Sequence, residues 1–148
     1  MENTEIMTTA LANCAFPATW LYCFTSGCKR RDTCVRYQSG LAIDSALTSG
    51  HAVFPTASTL DPCPHFKQLR TIRSAWGFNS LFNDVRVADA PRLRKGMKEI
   101  LGGGGTYYAY HHGQRRLTPE QQAQIRRLFA RFGYASVDFE HYRTEIDI

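Results

Sequence analysis

Apolar residues recur along much of the chain at helical spacing, most clearly after Leu117. There Thr118 predicts an N-cap, Pro119 the first helical residue and Gln121 the third-position partner of a capping box. Ile125, Leu128, Phe129 and Phe132 then fall at i, i+3, i+4 and i+7, Arg126, Arg127 and Arg131 face elsewhere, and Gly133 supplies the stop. A second helix is predicted from Pro91, with Leu93, Met97 and Ile100 as its inward stripe, ended by Gly102 to Gly105. Phe66, Leu69, Ile72 and Trp76 predict a third, which Gly77 would stop. Asp32 is read as the cap of a short helix through Cys34, Tyr37 and Leu41, and a short strand is expected around His51 to Pro55. Residues 1–13 have little periodicity and are expected to fray, while Leu81, Phe82 and Val85 suit a looser segment. The expectation is an α+β fold, mainly helical, in one small domain over 1–148. Its 14–66 part is cysteine-rich, loop-rich and clipped by a metal, and its basic helical 91–133 part is helix-turn-helix-like.

Composition sets the scale. The chain has 148 residues, 43% of them hydrophobic, enough for one packed core but hardly for two. No stretch approaches the roughly 20 apolar residues of a membrane span. Glu2 and Glu5 stand where a signal peptide would carry positive charge, so a cytoplasmic protein without a membrane partner is expected. The net charge of +5 is local: residues 1–62 hold 4 basic and 5 acidic side chains, residues 63–131 hold 13 and 4. Residues 132–148 turn acidic through Asp138, Glu140, Glu145 and Asp147, which reads as solvation.

Five cysteines is an odd count, and a chain read as cytoplasmic offers no oxidising compartment for disulfides. Four and five residues separate Cys23, Cys28 and Cys34, and Cys63 follows in the rigid turn Asp61-Pro62-Cys63-Pro64. Three ligands from one loop and one from a distant turn suit a closed tetrahedral thiolate site, and zinc, whose filled d shell imposes no geometry, would accept it. Lys29, Arg30 and Arg31 would offset the negative charge that four thiolates leave around a divalent ion. The usual zinc pairs have two intervening residues, and these are longer, so an iron–sulfur cluster stays open as the alternative cofactor. Buried thiols acting as small hydrophobes are the other reading. Cys14 stands outside the set.

The run Trp20-x-x-Cys23, Cys28, Cys34-Val-Arg-Tyr37, then Cys63-Pro-x-Phe66 with Ala75-Trp76-Gly77, then Tyr107-Tyr108 and Leu117-Thr-Pro-Glu-x-Gln122, resembles a family of small, uncharacterised bacterial proteins known only as a domain of unknown function. The resemblance covers nearly the whole chain. It supports Cys23, Cys28, Cys34 and Cys63 as the motif set and implies no substrate, cofactor or catalytic residue.

In the basic half, a helix over Leu93 to Leu101, a glycine turn and the segment Thr106 to His112 follow the order of a helix-turn-helix, although that segment is short and would also suit a strand. Tyr107, Tyr108, His111, Arg115 and Arg116 carry groups that contact phosphates or base edges, making them the candidate nucleic-acid-binding residues. A protein-binding surface would use the same residue types. Catalysis finds no foothold. His111-His112 has no nearby carboxylate in sequence to orient it, and Gly102 to Gly105 follows a helix and lacks the Gly-Lys-Ser/Thr ending of a phosphate loop. No small-molecule substrate is indicated. The expected function is a non-catalytic binding module with a structural four-cysteine zinc site, binding nucleic acid through its basic half; a protein-interaction module and an iron–sulfur redox protein are the alternatives.

Overall fold

A computed structural model describes residues 2–148 as an α+β chain, mainly helical, that clusters into two compact units. One comprises residues 1–71 with 145–148, the other residues 72–144. The cysteine-rich 14–66 part falls in the first and the basic 91–133 part in the second.

The first unit opens with α1 (Glu2–Asn13), a helix where fraying was expected. Its Ala10 and Leu11 are buried with Trp20, Val35 and Ile146, and Met7, Cys14, Phe16, Tyr22 and Leu69 pack around them. β1 (Leu21–Tyr22) pairs in parallel with β2 (His51–Ala52), the strand expected there, with Leu21 opposite His51. Between them lies α2 (Val35–Leu41), whose N-cap is Cys34. Asp32 does not cap it. It sits in a 3₁₀ turn, Arg31–Thr33, and its carboxylate lies 3.8 Å from Arg31 Nε.

The second unit holds the larger core. α3 (Ala90–Leu101), α4 (Gly104–His111) and α5 (Pro119–Arg131) bury Leu93, Met97, Tyr107, Ile125 and Phe129 against one another and against Phe78 and Leu117. Each such large apolar side chain contributes roughly 1.5–3 kcal/mol. The box that starts α5 is complete: Gln121 N–H donates to Thr118 Oγ1 at 3.3 Å, and Thr118 N–H donates to Gln121 Oε1 at 3.0 Å.

Two expectations need correction. The 66–76 segment is not a helix: Phe66 to Arg70 is irregular chain with a bridge at Gln68, and β3 (Thr71–Trp76) follows as a strand. Partners distant in sequence explain it. Ser74 bonds the Arg143 carbonyl, and the buried Ala75 exchanges backbone hydrogen bonds with Leu117, contacts that a helix would forfeit. The acidic end is not merely solvated either, because β4 (His141–Ile146) pairs with β3 and Phe139 and Ile146 are buried. The boundary between the units falls within both strands. No helix among the described residues is long and apolar enough to cross a membrane.

Candidate functional site

Cys23, Cys28, Cys34 and Cys63 line a single cavity in the first unit. Each is placed by local backbone bonds. Cys23 leaves the end of β1, and its N–H donates to the Arg36 carbonyl at 3.0 Å. α2 passes close by, because Gly40 has no side chain: a Cβ there would lie 2.5 Å from the Cys23 carbonyl oxygen. Cys28 ends a turn in which its N–H donates to the Thr25 carbonyl, and its own carbonyl accepts from Arg31 N–H. Cys34 is buried at the start of α2 and bridges to Gln68. The flanking bonds from Val35 N–H to the Lys67 carbonyl at 2.9 Å and from Leu69 N–H to the Thr33 carbonyl at 2.8 Å hold the two segments together. Cys63 opens a turn closed by Phe66 N–H on its carbonyl.

Arginines fasten this arrangement. Arg36 donates from Nε to the His65 carbonyl at 2.8 Å and from a terminal nitrogen to the Leu21 carbonyl at 3.2 Å, with its guanidinium 4.6 Å from the Trp20 ring centroid. Arg30, Arg31 and Arg36 also line the cavity, as do His65, Phe54 and Phe66. The sequence reading missed Arg36 and His65, although both lie within three residues of a motif cysteine.

The free space is about 30 Å³, room for an ion or a water or two, far below the roughly 300 Å³ at which small-molecule pockets begin. All four thiols are free of disulfides. Among the described residues, no three His, Cys, Asp or Glu side chains form a group that could hold a metal ion. The four cysteines thus share a cavity without standing in ligating geometry.

The nucleic-acid candidates divide. Tyr107, Tyr108 and His111 line one pocket of the second unit together with Arg94, which the sequence reading did not single out. Tyr107 is buried, so it serves the core as well. Burial pushes its phenol above the ordinary 10.0, and the adjacent Arg94 pulls the other way. Arg115 and Arg116 do not join them. Arg115 is exposed beyond the end of α4, and the Arg116 guanidinium lies 5.8 Å from the Trp76 ring centroid. The segment Thr106 to His111 is helical, with His112 as its C-cap, but its Tyr107 and Tyr110 face the core.

The chain matches the family of unknown function DUF6078 over residues 4–148. It belongs to that family. No curated protein and no solved structure matches it. The DUF6078 assignment agrees with the resemblance read from the motif residues and brings no activity with it. Within this DUF6078 chain, packing accounts for two motif residues of the second unit, Gly77 and Gln122. Gly77, at φ +85°, lies where a Cβ would meet Glu140 Cβ at 2.9 Å. Gln122 is buried and donates to the Arg73 and Leu117 carbonyls at 2.8 and 3.1 Å. Packing does not account for the cysteines, three of which are only half-buried.

Proposed function

We propose that the chain is a non-catalytic binding module whose first unit is held by a zinc ion on Cys23, Cys28, Cys34 and Cys63, and whose second unit offers a basic surface to nucleic acid. The observation that carries the first half is the shared cavity of ionic size. Thiols acting only as small hydrophobes would be fully buried, whereas three of these four are only half-buried. Here four line one cavity from a loop, a helix start and a distant turn, with Arg30, Arg31 and Arg36 beside them to offset the charge of a tetrathiolate complex. Four thiolates complete zinc's coordination and leave no open position for a substrate, which makes the ion structural. Because the thiols stand outside ligating geometry, the ion would draw them together, and binding would be coupled to ordering of the loop.

For the second half, the support is charge. Arg92, Lys95, Arg115, Arg127 and Arg131 are exposed on the second unit, and no ion pair is seen for any of them among the described residues.

Elemental analysis with a visible spectrum tests the metal. One zinc per chain in a colourless protein is expected. Iron with brown absorbance would replace zinc by a cluster, and thiols that neither retain nor take up zinc would sink the site. The nucleic-acid half predicts binding that weakens steeply as salt rises, since phosphate contacts release counterions. Absence of binding at low salt would remove it.

A further inference from the structure

We infer that the pocket between α3, α4 and the Phe78–Phe82 turn takes the ring of a nucleotide, with its phosphate at the rim beside Arg94 and Lys98. The inference rests on the nucleic-acid reading of the second unit and narrows it to unpaired bases or free nucleotides.

The pocket holds about 150 Å³ of free space. That is below the roughly 300 Å³ of a small-molecule site, so the ring alone would enter and the sugar and phosphate would stay outside. Its walls are themselves rings: Phe78 packs 5.0 Å from Tyr107, Tyr107 meets Tyr108 edge-on at 5.2 Å, and His111 lies 5.6 Å from Phe78. Tyr108 is 53% exposed and stacks on His112 at 6.3 Å, so an entering ring would extend that stack. Such a lining favours a planar π system, whose faces and edges match aromatic walls, over an aliphatic chain of the same size.

The charges specify what the ring must carry. The Arg94 guanidinium lies 4.8 Å from the Phe82 ring centroid, and the Lys98 ammonium lies 5.6 and 5.8 Å from those of Tyr107 and Tyr108. The two cations are at i and i+4 on α3, an arrangement that repels. No carboxylate pairs with either among the described residues. An anion between them would relieve the repulsion. An aromatic amino acid fits less well, because the repulsion of its ammonium offsets the attraction of its carboxylate. A base carrying one phosphate has the right sign.

Polar groups are in place for the ring's edge. Phe78 N–H donates to His111 Nδ1 at 3.0 Å, so Nδ1 is the acceptor and the ring's other nitrogen, Nε2, carries the donor hydrogen. Asn79 lines the same pocket and adds an amide. A base in a duplex is stacked on both faces and would have to be flipped out first, whereas a single strand or a free nucleotide enters directly.

The test titrates the full chain at low salt with adenosine monophosphate, an eight-residue deoxyadenosine strand, the same strand annealed to its complement, and inorganic phosphate, following the NMR signals of Tyr108 and His111. The monophosphate and the single strand are expected to shift both residues, and the duplex neither. Tighter binding of the strand would identify nucleic acid as the source of the ring, and equal binding a free nucleotide. Tyr108→Ala and Lys98→Gln should each weaken the monophosphate about tenfold with the unfolding midpoint unchanged. Binding of strand or duplex that leaves the Tyr108 and His111 signals in place and is indifferent to Tyr108→Ala would overturn the pocket while leaving the nucleic-acid reading intact. Phosphate alone reproducing the shifts would reduce the site to an anion contact and overturn it as well. No binding of any of the four ligands would overturn both.

Discussion

The Arg30 guanidinium lies 3.8 Å from the Phe66 ring centroid, so a cation from the loop that carries Cys28 is seated on the turn that carries Cys63. Such a contact is worth about 0.5–1 kcal/mol at an exposed site. Arg30→Ala should lower the stability of the first unit by about that amount and weaken zinc binding in competition with a chromophoric chelator, whereas Lys29→Ala, a neighbour of equal charge, should do neither. Equal effects from the two variants would reduce Arg30 to a diffuse charge.

Gly40→Ala sets two effects of opposite sign against each other. In an ordinary helix interior the change stabilises by about 0.5–1 kcal/mol. In α2 the added Cβ would lie 2.5 Å from the Cys23 carbonyl oxygen and 3.2 Å from the Phe24 ring, and the nearer atom belongs to the backbone. The clash should win. A net loss of about 1–3 kcal/mol is expected by urea denaturation, together with slower uptake of metal; a gain in stability would mean that the Cys23 segment yields freely.

The α5 capping box and core stripe were legible in the sequence because both depend on residues within one or two turns of each other, and Thr118, Gln121, Ile125 and Phe129 occupy the places their spacing assigns. Residues 66–76 misled because Phe66, Leu69, Ile72 and Trp76 happen to fall at helical intervals, while the partners that make 71–76 a strand lie elsewhere in the chain, at Leu117 and in β4. The tail misled for a related reason. Its acidic composition speaks of solvent, but the two apolar side chains that decide its fate, Phe139 and Ile146, are separated by polar residues on the open face of a strand. At the candidate site, the grouping of the four cysteines could be read from their spacing and turn chemistry. Arg36 could not, because its role consists of backbone carbonyls at Leu21 and His65, and carbonyls leave no mark in a sequence.

Gln122 supplies a clean test of the second unit. Its buried amide nitrogen donates to two carbonyls, those of Arg73 and Leu117. Gln122→Glu would place oxygen against both acceptors and a charge in the core, costing about 3 kcal/mol or more. Gln122→Met removes the donors without adding charge and should cost about 1–3 kcal/mol. A urea denaturation series should rank wild type above Gln122→Met and Gln122→Glu last; a Glu variant as stable as wild type would mean that the amide bonds are dispensable.

Tyr107 adds a dependence on alkaline pH. Burial raises its phenol above the ordinary 10.0 and outweighs the opposing pull of Arg94. In the unfolded chain the group ionises near 10.0, so above that pH the unfolded state loses a proton that the folded state keeps. The stabilisation is therefore complete below pH 10 and declines as pH rises through the folded-state value. Tyr107→Phe should flatten that decline in thermal melts run above pH 10. An unchanged alkaline slope would assign the loss to other groups.

Removing the metal should loosen one unit and spare the other. The amides of Val35 and Leu69 bond across the segments that carry Cys34 and Cys63, so an ion on the four thiolates would protect them from hydrogen exchange, and a chelator should deprotect them. The amides of Ala75 and Leu117, which bond each other within the second unit, should keep their rates. Acid should act like the chelator, because thiolate ligation releases protons and affinity therefore falls as pH drops. Serine at any one of positions 23, 28, 34 or 63 should give the deprotected pattern without chelator, whereas Cys14→Ser should not. If chelation leaves Val35 and Leu69 as protected as before in a chain shown to contain zinc, the ion is bound elsewhere and the four-thiol cavity does not hold it.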